Sequence, residues 1–310
     1  MKVHHNKDSY QNINKPVITV GTFDGVHIGH QTIINRIKDI ARKTGGETVL
    51  LTFHPHPRKV ILNDNSSLKL INTIDEKIKL LEEYGLDHLV IHPFTKDFSR
   101  ISPTSYVRDL LVNELKVANL VIGYDHQFGR NREGNLTLLK ELSSLYGFNI
   151  EEISAQEINE IKVSSTKIRA AIKKGDFQIA NKYLGYPFTI TGIVKQGKKL
   201  GRTIGFPTAN IENLDFDKIN PGNGVYAVKA TVNGLTYNGM MNIGTRPTLK
   251  KIKAVITKEV HLFDFNENIY NKEIKVEFIA RIREEKKFHD INKLKMQLVD
   301  DQKKSIQILS

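Results

Sequence analysis

The chain has 310 residues, a net charge of +12, 39% apolar and 26% charged residues, and no cysteine. That length admits two domains. The missing cysteines exclude disulfides, thiolate nucleophiles, cysteine-held zinc and iron–sulfur clusters. No apolar run reaches bilayer length, and the opening M-K-V-H-H-N-K-D-S-Y has no apolar signal core, so a cytoplasmic protein without a membrane partner is expected. The positive charge suits either nucleic acid or small phosphorylated substrates. Lysines are spread along the chain, on expected helix surfaces at Lys38, Lys43, Lys77 and Lys79, and no RNP, helix-turn-helix or zinc-finger pattern accompanies them. Small polyanions are therefore preferred over nucleic acid.

Residues 1–184 alternate in type. Strand-like runs fall at 17–20, 48–53, 88–91, 120–122 and 149–153, with helix-like runs at 74–84, 104–114 and 136–146. That alternation predicts a parallel sheet with helices on both faces, and ligands bind such sheets beyond the carboxyl ends of the strands. The first run leads into G-T-F-D-G-V-H-I-G-H at 21–30, after which Ile33, Ile34, Ile37 and Ile40 follow helix spacing. A glycine-rich strand-to-helix turn presents backbone N–H groups and the positive end of a helix, which suits phosphate. His27 and His30 lie three apart, so on a first helical turn they face the same way. Two imidazoles there can donate hydrogen bonds to charge that builds up during transfer. A zinc site lacks sufficient ligands, and H-E-x-x-H is absent. The pattern resembles the H-x-G-H signature of the nucleotidyltransferase superfamily, whose members attack the α-phosphate of a nucleoside triphosphate and release pyrophosphate.

After Leu184-Gly185-Tyr186-Pro187 the periodic segments read mostly as strands. Those at 224–232 and 235–243 are joined by Asn233-Gly234, a strong hairpin signal. Runs at 259–265 and 272–282 follow, separated by Asn266-Glu267-Asn268, and together these predict a small antiparallel barrel. From about Asp290 the pattern returns to helix, with Ile291, Leu294 and Leu298 on one face. With no repeats and no low-complexity linker, the boundary is expected near 183–188, giving domains 1–184 and 185–310.

The second half carries its own dense motif, G-K-K-L-G-R-T-I-G-F-P-T-A-N-I at 197–211. It fails as a Walker A loop: Gly197 and Gly201 are one residue too close, Arg202 stands where lysine belongs, and no helix is expected to follow. Its glycines with Lys198, Lys199 and Arg202 suit a flexible basic flap over phosphates. Pro207-Thr208-Ala209-Asn210 places a hydroxyl and an amide oxygen at i and i+2, on one side of an extended segment. Both are hard donors that suit Mg²⁺, and the same residues suit an ordinary turn, so the residues alone leave both readings open. Glu259 opens E-V-H-L-F-D-F, whose alternation puts Glu259, His261, Phe263 and Phe265 on one face and Val260, Leu262 and Asp264 on the other. A carboxylate beside aromatics can act as a base toward a planar substrate. A strand-end glutamate in water is the plainer alternative.

Taken together, the chain resembles the prokaryotic bifunctional riboflavin kinase/FAD synthetase (FMN adenylyltransferase) family along essentially its whole length. The first half carries G-T-F-D-G-V-H-I-G-H, then F-H-P-H-P-R at 53–58, V-I-G-Y-D-H-Q-F-G at 121–129 and S-S-T-K-I-R at 164–169. The second carries G-R-T-I-G-F-P-T-A-N-I, G-V-Y-A-V, N-I-G-T-R-P-T, E-V-H-L-F-D-F and I-R-E-E-K-K-F in order. The resemblance implies a Rossmann-like nucleotidyltransferase domain followed by a riboflavin-kinase-like barrel with a terminal helix. It implies that Gly21, Phe23, Asp24, Gly29, Ser164, Ser165, Thr166 and Arg169 bind ATP for adenylylation, with His27 and His30 catalytic. It places flavin at His56, Pro57 and Asp125. In the kinase, Gly201, Arg202, Gly205 and Pro207 would bind ATP, Thr208 and Asn210 would hold Mg²⁺, and Glu259 would be the base for the ribityl hydroxyl. Ser164 also suits a plain helix cap. Two departures stand out: Leu249-Lys250-Lys251-Ile252-Lys253, where the family usually has Phe and a polar or glycine-containing turn, and Tyr270-Asn271, where it commonly has Tyr-Gly.

The implied reactions are riboflavin plus ATP to FMN plus ADP, and FMN plus ATP to FAD plus pyrophosphate. Each is a problem of positioning and charge stabilisation. The FMN phosphate is already an anionic nucleophile, whereas the riboflavin hydroxyl is neutral and needs a base, so one site has histidines and the other a glutamate. A nucleotidyltransferase for another acceptor, with a barrel that merely binds ligand, would need neither metal donors nor Glu259. A flavin-responsive nucleic-acid regulator would need a recognition motif that the chain lacks.

Overall fold

The computed structural model describes residues 1–5, 10, 12–62, 68–124, 126–154, 163–197, 200–246 and 255–310, with backbone alone at 200, 246 and 255. Asp125, Lys198, Lys199 and the unusual 249–253 segment lie outside the described residues. The chain divides into two compact units, Met1–Ser165 and Thr166–Ser310.

The first unit holds β1 (Lys2–His4), β2 (Val17–Val20), α1 (Ile28–Thr44), β3 (Thr48–His54), α2 (Pro57–Ile61), α3 (Ile74–Glu83) and β4 (His88–Pro93). Next comes α4, which begins at Pro103–Ser105 and continues as the π-helical Tyr106–Glu114, then β5 (Asn119–Gly123), α5 (Leu136–Tyr146) and β6 (Asn149–Ile153). The strands pair in parallel in the order β1-β4-β3-β2-β5-β6. Alternate residues supply two cores: Ile18, Leu51 and Leu120 point to one face, and Val17, Leu50 and Val121 to the other. This is the double apolar demand of a parallel sheet covered on both sides. Strand order reverses at β2, whose neighbours are β3 and β5, so the loops after β2 and β5 diverge and open a crevice at the carboxyl edge.

Two expectations change here. The helix expected at 104–114 widens into π-helical turns, with Leu115 N–H donating to Leu110 O. Lys77, expected on the surface, is 8% exposed. The helix α3, capped by a Thr73–Glu76 box, buries that face against the loop after β2, where the Lys77 ammonium donates to Thr22 O at 2.7 Å. β1 escaped the sequence reading because three residues are too short to show a period; it adds in register as Lys2↔His88.

Continuing through the junction are α6 (Ser165–Lys174) and α7 (Phe177–Leu184), followed by β7 (Thr189–Lys195), α8 (Leu200–Thr203) and β8 (Ala209–Asn213). Then come β9 (Gly224–Val232), β10 (Leu235–Arg246), β11 (Val255–Leu262), β12 (Glu273–Arg283) and α9 (Ile291–Leu309). The strands close as an antiparallel barrel in the order β10-β11-β8-β7-β12-β9. The hairpin between β9 and β10 turns at Asn233 (φ 51°) and Gly234 (φ 79°), both in the left-handed region such a turn requires. On α7, Phe177 is fully buried and stacks on Phe278 of β12 at 4.7 Å between ring centroids. The strand expected at 259–265 runs instead from Val255 to Leu262, because the chain turns at Asp264 with φ 53°. Along α9 the buried face holds Asp301, Ser305 and Leu309, whereas Ile291 is 51% exposed. Asp301 makes a bidentate pair with Arg283 at 2.7–3.0 Å, a polar anchor that hydrophobic periodicity does not reveal.

Candidate functional site

In the first unit the 21–27 loop is built on strain and close approach. Phe23 (φ 44°) and the β-branched Val26 (φ 34°) both occupy the left-handed region, which disfavours bulky side chains. Polar clamps hold them there. Asp24 Oδ1 accepts from Ile71 N–H at 2.9 Å and Asn72 N–H at 3.3 Å, Gln31 Nε2 donates to Val26 O, and Ser165 Oγ donates to Asp24 O. Asp24, expected at ATP, is 2% exposed and has a loop-fastening role, since two backbone donors occupy its carboxylate oxygen. Phe23 is likewise buried, stacked on His30.

His27 is the N-cap of α1 and precedes its first turn. Its Nδ1 accepts from His30 N–H at 3.4 Å, which assigns the proton to Nε2 and leaves Nε2–H as the donor. The two imidazoles stack at 3.6 Å between centroids with a 14° interplanar angle. Gly29 permits this, since a Cβ there would stand 3.3 Å from the His27 ring. Burial foremost, then the neighbouring His27 and Lys77, hold His30 well below the usual histidine range, so His30 is neutral near pH 7.

Beside the loop a cavity of about 1230 Å³ opens at the carboxyl ends of β2, β3, β4 and β5. Gly21, Thr22, His56 and Pro57 form part of its wall. Phe53, Phe94, Phe98, Tyr106 and Phe128 supply aromatic surface, while Arg58, Lys96, Arg100, Arg130 and Arg132 supply cations. Planar aromatic walls with a basic complement suit a phosphorylated ring system. The sequence reading missed Phe94, Phe98 and Lys96 because no motif marks them; they come to the site through the end of β4. His56 caps α2, its Nδ1 accepting from Arg58 N–H at 3.2 Å. Ser164 immediately precedes α6, and Thr166 and Arg169 lie three apart on its first turns, sharing a face.

In the second unit Glu259 is a mid-strand residue, directly opposite Asn210 on β8. Facing residues of an antiparallel pair share one side of the sheet, with Cβ atoms about 4.5–5.5 Å apart. Lys195 and Asn242 continue the same row, opposite Asn210 and Glu259 respectively. His261, two residues along, donates from Nδ1 to Pro207 O at 2.7 Å and so ties the Pro207-Thr208 segment to β11. A Cβ on Gly197 would overlap the Asn210 amide, and one on Gly201 would overlap Phe206 O, so both glycines are required by close approach. The 197–211 motif, read as carrying a flexible basic flap, includes a one-turn helix, α8, followed by Phe206 N–H donating to Gly201 O at 2.8 Å. Arg202, Pro207 and Thr208 line a second cavity of about 500 Å³, with Phe265, Asn268 and Tyr270; Gly201, Gly205, Asn210 and Glu259 are outside its lining. The departure at Asn271 keeps a left-handed backbone, φ 61°, which asparagine tolerates best after glycine.

A family model described as FAD synthetase matches residues 9–167, and one described as riboflavin kinase matches residues 184–309. A bifunctional riboflavin kinase/FMN adenylyltransferase of Bacillus subtilis is 40% identical over 299 residues, covering 96% of this chain and 93% of that protein. Its Escherichia coli counterpart is 36% identical over 287 residues, covering 92% and 90%. A crystal structure from Streptococcus pneumoniae, described as a macrolide-efflux protein, superposes with a TM-score of 0.87 at 28% identity over 97% of both chains. Among the described residues no helix is long and apolar enough to cross a membrane.

Proposed function

Because the chain belongs to the family of bifunctional riboflavin kinase/FMN adenylyltransferases, we propose how its residues divide two reactions between two units. The protein phosphorylates riboflavin to FMN with ATP, and adenylylates FMN to FAD with release of pyrophosphate.

Adenylylation belongs to the α/β unit. An FMN phosphate oxygen attacks the α-phosphorus of ATP, and the bond to the β-phosphate oxygen breaks. His27 Nε2–H donates to the charge that develops on the α-phosphate, with neutral His30 stacked behind it. The aromatic cavity takes the isoalloxazine ring, and its cations take phosphate. Ser164, Ser165, Thr166 and Arg169 at the head of α6 bind the distal phosphates.

Phosphorylation belongs to the barrel. Riboflavin's 5′-oxygen attacks the γ-phosphorus, Glu259 takes the hydroxyl proton, and ADP leaves. Thr208 and Asn210 are neutral hard donors two apart, and Asn210 stands opposite Glu259; the two donors fit a Mg²⁺ ion, which would keep several waters. Such an ion supplies charge neutralisation to the nucleotide phosphates. Arg202 and Pro207 belong to the ATP side of this site.

The observation that carries this assignment is the contrast between the units: stacked histidines at a helix N-terminus in one, and a carboxylate beside oxygen donors in the other. Removing either histidine should cut FAD formation from FMN by roughly a hundredfold or more and spare FMN formation from riboflavin. Equal loss of both activities would defeat the division.

A further inference from the structure

Lys77 is a buried cation that the reaction as described above does not use. Its ammonium meets Thr22 O at 2.7 Å, where Thr52 Oγ1 also approaches at 3.4 Å. Elsewhere in the same loop neutral donors do the equivalent work: Gln31 holds Val26 O, and Ser165 holds Asp24 O. A buried ammonium is costly compared with a neutral amide or hydroxyl. Desolvation lowers this one from the ordinary 10.5 to about 8, with nearby Asp24 acting to raise it. Fastening the loop therefore does not by itself explain a lysine.

The peptide that Lys77 grips provides the reason. C=O and N–H of a trans peptide point in opposite directions. With Thr22 O drawn toward α3, Phe23 N–H is directed away from it, and among the described residues that N–H meets no acceptor. A cation on the carbonyl end polarises the peptide and strengthens its N–H as a donor. This amide leads directly into the histidine turn, and Lys77 also acts electrostatically on His30.

We propose that Lys77 is a positioning residue for adenylyl transfer: its ammonium fixes and polarises the Thr22–Phe23 peptide, presenting Phe23 N–H to the substrate phosphates. The inference rests on the assignment of adenylylation to the 21–30 loop. The titratable groups that interact with Lys77 are Asp24 in that loop and His30 on the first turn of α1. On α3 itself, Glu76 is engaged in the cap at Thr73.

The test uses the full chain and follows FMN to FAD from pH 6 to 9.5 in wild type, Lys77→Met, Lys77→Arg and His30→Ala. Wild type should lose kcat as pH rises through about 8, where Lys77 gives up its proton. Lys77→Met should lower kcat by roughly ten- to a hundredfold and remove that alkaline limb. Lys77→Arg stays charged and should move the limb upward. A Met variant that keeps both the wild-type rate and the limb overturns the proposal. If the Met variant fails to fold, the Arg variant decides: a limb still at about pH 8 overturns it. Full FAD formation by His30→Ala would instead defeat the site assignment beneath it, whatever the Lys77 variants do.

Discussion

Asn210 and Glu259 stand directly opposite one another across β8 and β11, so a candidate metal donor and a candidate base project from the same face of the barrel. They are 49 positions apart in the chain, and antiparallel pairing alone brings them together. His261 reinforces the arrangement by holding Pro207 O, which fixes Thr208 relative to the same strand.

Glu259→Gln keeps size and one hydrogen-bonding oxygen but removes the base. Riboflavin-to-FMN turnover at saturating ATP should fall by about two to four orders of magnitude. FMN-to-FAD turnover serves as the internal control and should persist. Thr208→Ala should differ by weakening Mg²⁺-ATP binding as well as turnover, because a hard oxygen donor is lost. Near wild-type FMN formation by the Gln variant would reduce Glu259 to a half-buried strand residue.

His27→Ala and His30→Ala should each cut FAD formation by roughly a hundredfold or more, the scale for a lost transition-state donor. His27→Ala carries an additional cost, since it removes the cap of α1, about 0.5–2 kcal/mol. Thermal unfolding separates the two effects: loss of the cap should lower the melting temperature of His27→Ala, whereas a purely catalytic loss would leave it unchanged.

Two buried lysines give stability a definite pH dependence. Lys77 and Lys258 are each lowered from 10.5 to about 8 by burial, and among the described residues Lys258 has no ion-pair partner. Between those values the unfolded chain binds more protons than the folded one, so stability should rise as pH increases from about 8 toward 10.5. Below about 8 both states are charged and this gain is absent. Lys258→Met removes the buried charge and should raise the melting temperature at pH 7 while flattening the rise above pH 8. Denaturant melts across that range check the sign.

Fragments locate the functional boundary. We place the end of the adenylylating domain at 184, as the strand-rich texture after Pro187 suggests. The compact units, however, divide after Ser165, and Phe177 on α7 packs into the aromatic cluster of Tyr226 and Phe278. A fragment covering 166–310 should therefore fold and make FMN without FAD. One covering 186–310 lacks Phe177, a loss of about 3–5 kcal/mol, and should melt earlier. Equal melting and equal kinase activity in the two fragments would put the boundary at 184.

The strand–helix alternation of the first half, the strand-rich texture of the second and, through the family's motifs, both reactions were legible in the chain, whereas β1, β7 and β8 were not. Each depends on local chemistry: β-branched runs ending in glycine, Asn-Gly at a hairpin, hard oxygens two apart, histidines three apart. Tertiary structure decided the matters that depend on who meets whom. The periodicity of α3 places Lys77 with its solvated neighbours, because a helix pattern records hydrophobicity and says nothing of a carbonyl waiting on another element. Nothing in the motif shows that the Asp24 carboxylate also accepts from two backbone donors, residues 71 and 72, on another segment. The aromatic wall from Phe94 and Phe98 belongs to no motif, since crevice walls are assembled at the ends of separate strands. Burial, register and hydrogen-bond partners are pair properties, and the sheet order that sets them is chosen by the global packing of both faces.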